Sequence, residues 1–398
     1  IAAAPNFGPQ GSGKGNIVPI AQADIDRISQ IASQLGMKPG VVNAAGADQD
    51  EKRALFKLDW NIADGHRVSF RFDRVKSTQP NLNGYSTSST TPSLSLSSYW
   101  FTKHRQSKQY VLNAYDAWTD SFSTEAAVSY TTYDATPVPF AQQPQVRVFT
   151  NGNISGSTIT GPSVYLGEEE FRHYNILNIK SLNTFFAGTW ALGDHSVKVG
   201  FDFQRDKFYN LFGRTEFGAY TFPSIDAFAA GNWFQYSVFR PTDGNLQSIA
   251  ARWTLNQWGF FAQDTWQIGN LSLQYGFRYD LPKVSSTPLA NPVFNAAYPG
   301  TPNNASFDGN GLFEPRISFN YSFDGERAMQ LRGGVGLSEG APPGVWLSNP
   351  YTNNGVSLTS YSASNGVGFS ADPNNPLIPA GARKGGSPEM DVTDARFR

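Results

Sequence analysis

Nine ionisable side chains fall at alternate positions in stretches whose intervening positions are large and apolar: Arg67, Arg71 and Asp73; Lys198 and Asp202; Arg278 and Asp280; Arg316; and Arg332. At that spacing they share one face of extended chain, where they can pair across strands and keep the face hydrated. Other chemistry-bearing residues are weaker signals. The four histidines are scattered, His66 and His195 just after short turns and His104 and His173 in longer connections, with no spacing that brings two to one metal. Exposed or interfacial histidines are expected. "GEEEFRH" (167–173) has the carboxylates of a calcium loop tip, although three adjacent glutamates read better as a solvated run. "GPQGSGKG" (8–15) lacks the Ser or Thr after Lys14 that a phosphate loop needs and reads as a flexible glycine loop. "GLSEG" (336–340) mimics a nucleophile elbow, but Ala341-Pro342-Pro343 forbids the helix that must follow, leaving Ser338 as a strand end. No catalytic residue, metal ligand or cofactor site is assigned, and the chain does not read as an enzyme.

The elements that would carry the nine charges are hairpins. In "WGFFAQDTWQIGNLSLQYGFRYD" (258–280), Trp258, Phe260, Ala262, Trp266, Leu271, Leu273, Tyr275, Phe277 and Tyr279 take one face, while Gln257, Gln263, Thr265, Gln274, Arg278 and Asp280 take the other. Only Asp264 breaks the apolar set. "RALFKLDWNIADGHRVSFRFDRV" repeats the design around Ala63-Asp64-Gly65, as does "SLNTFFAGTWALGDHSVKVGFDFQ" around its Gly-Asp turn. "QYVLNAYDAWTDSFSTEAAVSYTTY" and "PRISFNYSFDGERAMQLRGGVGL" complete five hairpins, about ten strands. Turns within pairs are short, whereas the connections between pairs are long and rich in Ser, Thr, Asn, Gly and Pro. A compact soluble domain has no reason for that alternation. An outer-membrane barrel has one, with short periplasmic turns and long extracellular loops. Trp60, Trp118, Trp190 and Trp266 lie near the short turns, as an aromatic girdle at headgroup level requires.

Composition agrees. The 398 residues include 38 Gly, 25 Pro, 14% aromatics and no Cys, a composition suited to β-structure that removes disulfide and thiolate chemistry. Lys and Arg number 31 against 32 Asp and Glu, so nothing drives phosphate binding and nucleic acid is not an expected partner. Mean hydropathy is −0.38 and no run of about 18 apolar residues exists, which excludes a membrane-spanning helix but not a barrel, whose strands average their two faces. The fold class expected is all-β: an antiparallel transmembrane barrel with long extracellular loops. One helix is expected, in "AQADIDRISQIASQLG", with Ile25, Ile28, Ala32 and Leu35 on one stripe and Gly36 as its stop.

The 258–280 hairpin resembles the strand-turn-strand signature near the later barrel strands of TonB-dependent outer-membrane receptors. "EPRISFNYSFDGERAMQLRGGVGLSEGAPPGVWLSNPY" resembles the next hairpin in the Oar-like branch of that family, and the helix is similar to a loop segment of the same branch. The resemblance implies a barrel of about 22 strands, occluded by a plug and energised through TonB. It implies outer-membrane lipid, the TonB complex and an unidentified substrate as partners, with TonB engaged by regions not in this chain. On that view 1–52 is an extracellular loop segment with the helix, 53–338 holds the barrel strands, and 339–398 is a further extracellular loop segment. The nine lumen-facing charges would hold the plug or hydrate the lumen. The alternatives are a small closed barrel, either a porin or an omptin-type protease, and a soluble carbohydrate-binding β protein. The protease would need its histidines at the extracellular rim, whereas His66 and His195 lie beside the short turns.

Overall fold

The computed structural model describes residues 6–7, 17–42, 48–82, 84–340, 343–387 and 389–397; the glycine-rich 8–15 stretch lies outside them. Its largest element is a ten-stranded antiparallel sheet running up and down in chain order. The strands are β1 (Asp50–Ala63), β2 (His66–Asn81), β3 (Phe101–Thr119), β4 (Phe122–Pro139), β5 (Tyr174–Leu192), β6 (His195–Gly213), β7 (Ala251–Ile268), β8 (Leu271–Val284), β9 (Leu312–Phe323) and β10 (Met329–Gly336). β5–β6 and β7–β8 close on Gly193-Asp194 and Gly269-Asn270, with the glycines at φ +61° and +54°. A glycine at the first central position is what a two-residue turn matching strand twist demands. His104, expected in a connection, lies within β3 and is exposed.

The period of two survives pairing. Phe186, Phe201, Phe260, Tyr279 and Phe313 form one row across five successive strands, each 39–55% exposed. Trp60, Trp118, Trp190 and Trp266 share this apolar face and are also exposed. In water such a face would forgo about 1.5–3 kcal/mol per large side chain, so its solvent is hydrocarbon. Asp264, the polar residue on it, is matched: it accepts from Tyr275 Oη at 2.8 Å and sits 2.6 Å from His195 Nδ1, whose ring stacks on Trp266. The same group recurs at the turn of the first hairpin, with His66 Nδ1 2.8 Å from Asp116 and its ring against Trp118.

β3 to β7 run 18 or 19 residues, beyond the roughly 9–11 a tilted strand needs to cross a bilayer, so they project past the hydrocarbon. The sheet is open: among the described residues β1 pairs only with β2 and β10 only with β9. Phe56 on the first strand and Leu331 on the last therefore stand at opposite edges of the sheet.

The long connections are not plain loops. They and the segment after β10 build a second, seven-stranded sheet in the order Arg383–Gly385, Leu358–Val367, Asn232–Pro241, Ala219–Phe222, Gln145–Phe149, Ser163–Leu166, Ser93–Ser95, with two parallel pairings. Here lies the main apolar core. The helix α1 (Gln22–Gln34) lays Ile25, Ile28, Ile31 and Ala32 against Val146, Val148, Val164, Tyr220, Phe222 and Phe228. Gly36, at φ +86°, ends it where expected. No helix among the described residues is long and apolar enough to cross a membrane.

Candidate functional site

All nine charges fall on the face opposite the aromatic row, which follows from the register. Lys57 opposes Arg71, Asp202 opposes Gly259 and then Asp280, and Asn320 opposes Arg332. Pairing then sorts them. Arg71 contacts Asp73 at 3.3 Å and donates to Gln109 at 2.7 Å. Lys198 pairs with Glu125, and Arg67 lies over the Tyr115 ring at 4.8 Å. Arg332 makes no ion pair among the described residues and is exposed.

The remaining four converge. Arg278 donates through Nε and Nη2 to both oxygens of Asp280 at 2.7 and 2.6 Å, and through Nη1 and Nη2 to both oxygens of Asp202 at 2.5 and 2.8 Å. Asp202 is two strands away, and the guanidinium reaches it by passing over Gly259. A Cβ there would stand 2.1 Å from Arg278 Nη2 and 2.8 Å from Asp202 Oδ1, so the bridge requires glycine. Arg316 binds Glu314 at 2.5 Å and the Leu337 carbonyl at 3.1 Å. Glu314 also accepts from the Glu339 backbone N–H at 2.6 Å, and Glu339 accepts from Gln257 Nε2 at 2.6 Å.

Asp206, Glu125, Glu314 and Glu339 belong to this face or its rim and were not singled out from the sequence. Three of them continue the same alternation, Asp206 after Asp202, Glu314 before Arg316, and Glu125 among small residues. Glu339 lies beyond β10 and carries no periodic signal.

Two expectations are corrected. The "GEEEFRH" run is not solvated: Glu168 and Glu169 are buried, and burial pushes the Glu168 carboxyl up to about 9. Glu169 pairs with Arg172 at 3.1 Å. His173 is buried rather than interfacial; its Nδ1 accepts from the Phe217 N–H at 3.1 Å and its Nε2 faces the Glu168 carbonyl at 3.2 Å. Burial holds its pKa down to about 3, a neutral imidazole that joins two backbone segments. Nearby Glu216 is buried and raised to about 8, with Arg240 at 3.6 Å opposing the shift. Ser338 is exposed just past β10, and the next helix begins only at Gly344, so no nucleophile elbow forms.

The family described as "Outer membrane beta barrel domain" matches residues 6–397. Three solved structures are similar. The copper transporter OprC aligns at 13% identity and TM-score 0.44, over 80% of this chain and 43% of its own. The ferric-catecholate import receptor Fiu from Escherichia coli K12 aligns at 11% and 0.41, over 69% and 41%. The outer membrane transporter YddB from Escherichia coli aligns at 10% and 0.38, over 84% and 40%. The chain spans less than half the length of each. No curated protein matches it.

Proposed function

Since the chain belongs to the outer-membrane β-barrel domain family, and so to the bacterial outer membrane, we propose that it forms an arc of the wall of a TonB-dependent transporter, similar to the Oar-like branch. The observation that carries this is the open, two-faced meander. Unpaired N–H and C=O groups along β1 and β10 would each cost several kcal/mol in hydrocarbon, so further strands must complete the ring. A wall of about 22 strands accommodates this arc; a closed ten-stranded enzyme or porin would instead pair β1 with β10.

On this reading the polar face lines the lumen. Arg67, Arg71, Asp73, Lys198, Asp202, Arg278, Asp280, Arg316 and Arg332 hydrate it and offer contacts to a plug. Arg332, without an ion pair, is the charge best placed to meet a plug carboxylate. The TonB complex would act through regions not in this chain, and outer-membrane lipid would meet the aromatic face. The short turns face the periplasm, and the second sheet with α1 roofs the extracellular side. Residues 1–52 and 339–398 then belong to that outer structure, and 53–338 to the wall and its connections.

Single cysteines answer the question of orientation. Asp64→Cys, Asp194→Cys and Asn270→Cys should be protected from an impermeant thiol reagent in intact cells, while Ser88→Cys, Asn153→Cys and Val293→Cys should react. Equal labelling of the two sets would sink the orientation. In planar bilayers the intact protein should hold no stable open state, and steady conductance would point to a porin instead.

A further inference from the structure

Followed past the aromatic row towards the long connections, the apolar face of the ten-stranded sheet turns basic. Ala54, Arg74, Lys108, Thr132, Lys180 and Lys207 stand in one cross-strand row from β1 to β6. They share the face of the aromatic row, since Lys180 and Lys207 each lie an even number of residues along their strands from Phe186 and Phe201. The next row outward sets Lys52 opposite Lys76, and the row inward runs from Phe72 to Arg205. Across these three rows Asp134 is the one acid among the described residues, and it already accepts from Asn178 Nδ2 at 2.7 Å.

Register makes this more than a basic surface. Arg74 is directly opposite Lys108, Lys180 directly opposite Lys207, and Lys52 directly opposite Lys76. Like charges so placed destabilise a sheet. Lys52 has Asp50 at 3.6 Å and Arg74 donates to the neutral Gln106 at 2.9 Å, but Lys76, Lys108, Lys180 and Lys207 make no ion pair among the described residues. The level of the row is a separate observation. Lys108 and Lys180 each lie ten positions along the strand from its girdle tryptophan, Trp118 and Trp190. At about 3.3 Å per residue and a tilt of about 40°, that run climbs about 25 Å, the height of the apolar band of an outer-membrane barrel. The cations therefore stand at the far headgroup level. At the near level the same face of the strands carries His66, Asp116, His195 and Asp264 and no Lys or Arg among the described residues.

We propose that this row is a docking surface for the phosphorylated glycolipid of the outer leaflet, lipopolysaccharide, with its lipid A phosphates seated between the opposed cations. A phosphate monoester carries about −1.5 to −2 charges, so one group can bridge two cations and turn their repulsion into charge-assisted hydrogen bonds. The row continues the lipid-facing side of the wall, so its ligand lies outside the barrel and is not the transported substrate. One-sidedness selects the leaflet: a surface for any anionic headgroup would carry cations at both levels. The long aliphatic stems of the lysines reach along the apolar band while their ammonium groups stay at the headgroups. The proposal rests on the barrel reading and its orientation. Binding in detergent involves no leaflet, so a wrong orientation shows in the thiol labelling and a wrong surface shows in the binding.

The test uses the intact protein, folded in detergent and freed of endogenous lipopolysaccharide. Bisphosphorylated lipid A should bind at least about tenfold more tightly than the same lipid A dephosphorylated, and more tightly than phosphatidylglycerol, with an affinity that falls as salt rises. Lys180→Gln combined with Lys207→Gln, and Arg74→Gln combined with Lys108→Gln, should each weaken that binding at least about tenfold while keeping the circular dichroism of the folded barrel. Lys57→Gln, which removes a cation of the opposite face, should leave it unchanged. Equal binding of the phosphorylated and dephosphorylated lipids would overturn the proposal, as would phosphatidylglycerol binding as tightly as lipid A, or binding unaltered in both paired variants. If the paired variants fail to assemble, the unsubstituted protein decides: a preference for the phosphorylated lipid A over both other lipids would support the proposal, and no preference would overturn it.

Discussion

Replacing Arg278 by Met tests the packing of the polar face at its most connected point. The guanidinium donates four charge-assisted hydrogen bonds, two to each of Asp202 and Asp280, and Asp280 is 2% exposed. Methionine keeps much of the side-chain volume and removes every donor. Two carboxylates then face one another without the cation between them, one with almost no access to water. Removing one partner of a buried pair costs about 3–5 kcal/mol, and that is the loss of unfolding free energy expected, roughly a hundredfold or more in the folding equilibrium. Adding Asp280→Asn should recover a large part of the loss, because the amide carries no charge to leave unpaired. Gly259→Ala should act on the same bridge from the other side: its Cβ would lie 2.1 Å from Arg278 Nη2, forcing the guanidinium off Asp202 at about 1–3 kcal/mol. The assay is urea titration of the protein folded into lipid vesicles, read by heat-modifiable electrophoretic mobility, with divalent ions chelated. An Arg278→Met variant within about 1 kcal/mol of the parent, or an Asp280→Asn substitution that adds to the damage, would refute the reasoning.

Three further outcomes follow from other parts of the structure. Phe260→Arg places a cation in the aromatic row and should cost roughly 2–4 kcal/mol near the bilayer midplane, whereas Gln263→Arg, on the opposite face, should cost far less; equal assembly of the two in a vesicle-folding assay would show the faces to be misassigned. Glu168 has a folded-state pKa of about 9 against 4.5 when free, so the native state holds a proton that the unfolded chain releases, and stability must fall as pH rises across that window. Glu168→Gln should flatten this decline, raising the melting temperature more at pH 8 than at pH 5; an equal change at both would show that Glu168 ionises normally. Asp264→Asn keeps the shape but weakens the link to His195 and Tyr275, and should destabilise by about 1–2 kcal/mol in the same urea titration, where no change would mean the group is ornamental.

What was legible in the sequence is what long-range order does not decide. The 258–280 hairpin could be split into its two faces by counting in twos, because side-chain direction alternates along any strand whatever it pairs with. The stripe Ile25, Ile28, Ala32 was legible for the corresponding reason at a helical period, but its covering surface was not. That surface consists of strands such as Ser93–Ser95 and Ser163–Leu166, three and four residues long, in parallel register across 70 positions that include the whole β3–β4 hairpin. So short a run shows no period, and a parallel partner leaves no turn to mark it. The ion network failed to show for a different reason. Arg278 and Asp202 each announced their face, but their contact depends on the register of β6, β7 and β8 together and on a missing Cβ at Gly259, which in sequence is one glycine among 38. Asp264 shows the converse. In sequence it is a flaw in an apolar face, and only the strand register reveals that His195 and Tyr275 complete it. Period therefore assigns each charge to a face, while register decides which charges meet. A polar site on a sheet is built from the second kind of information, so its members are best sought by extending each alternation along its strand past the apolar run that revealed it, where Asp206 and Glu314 stand.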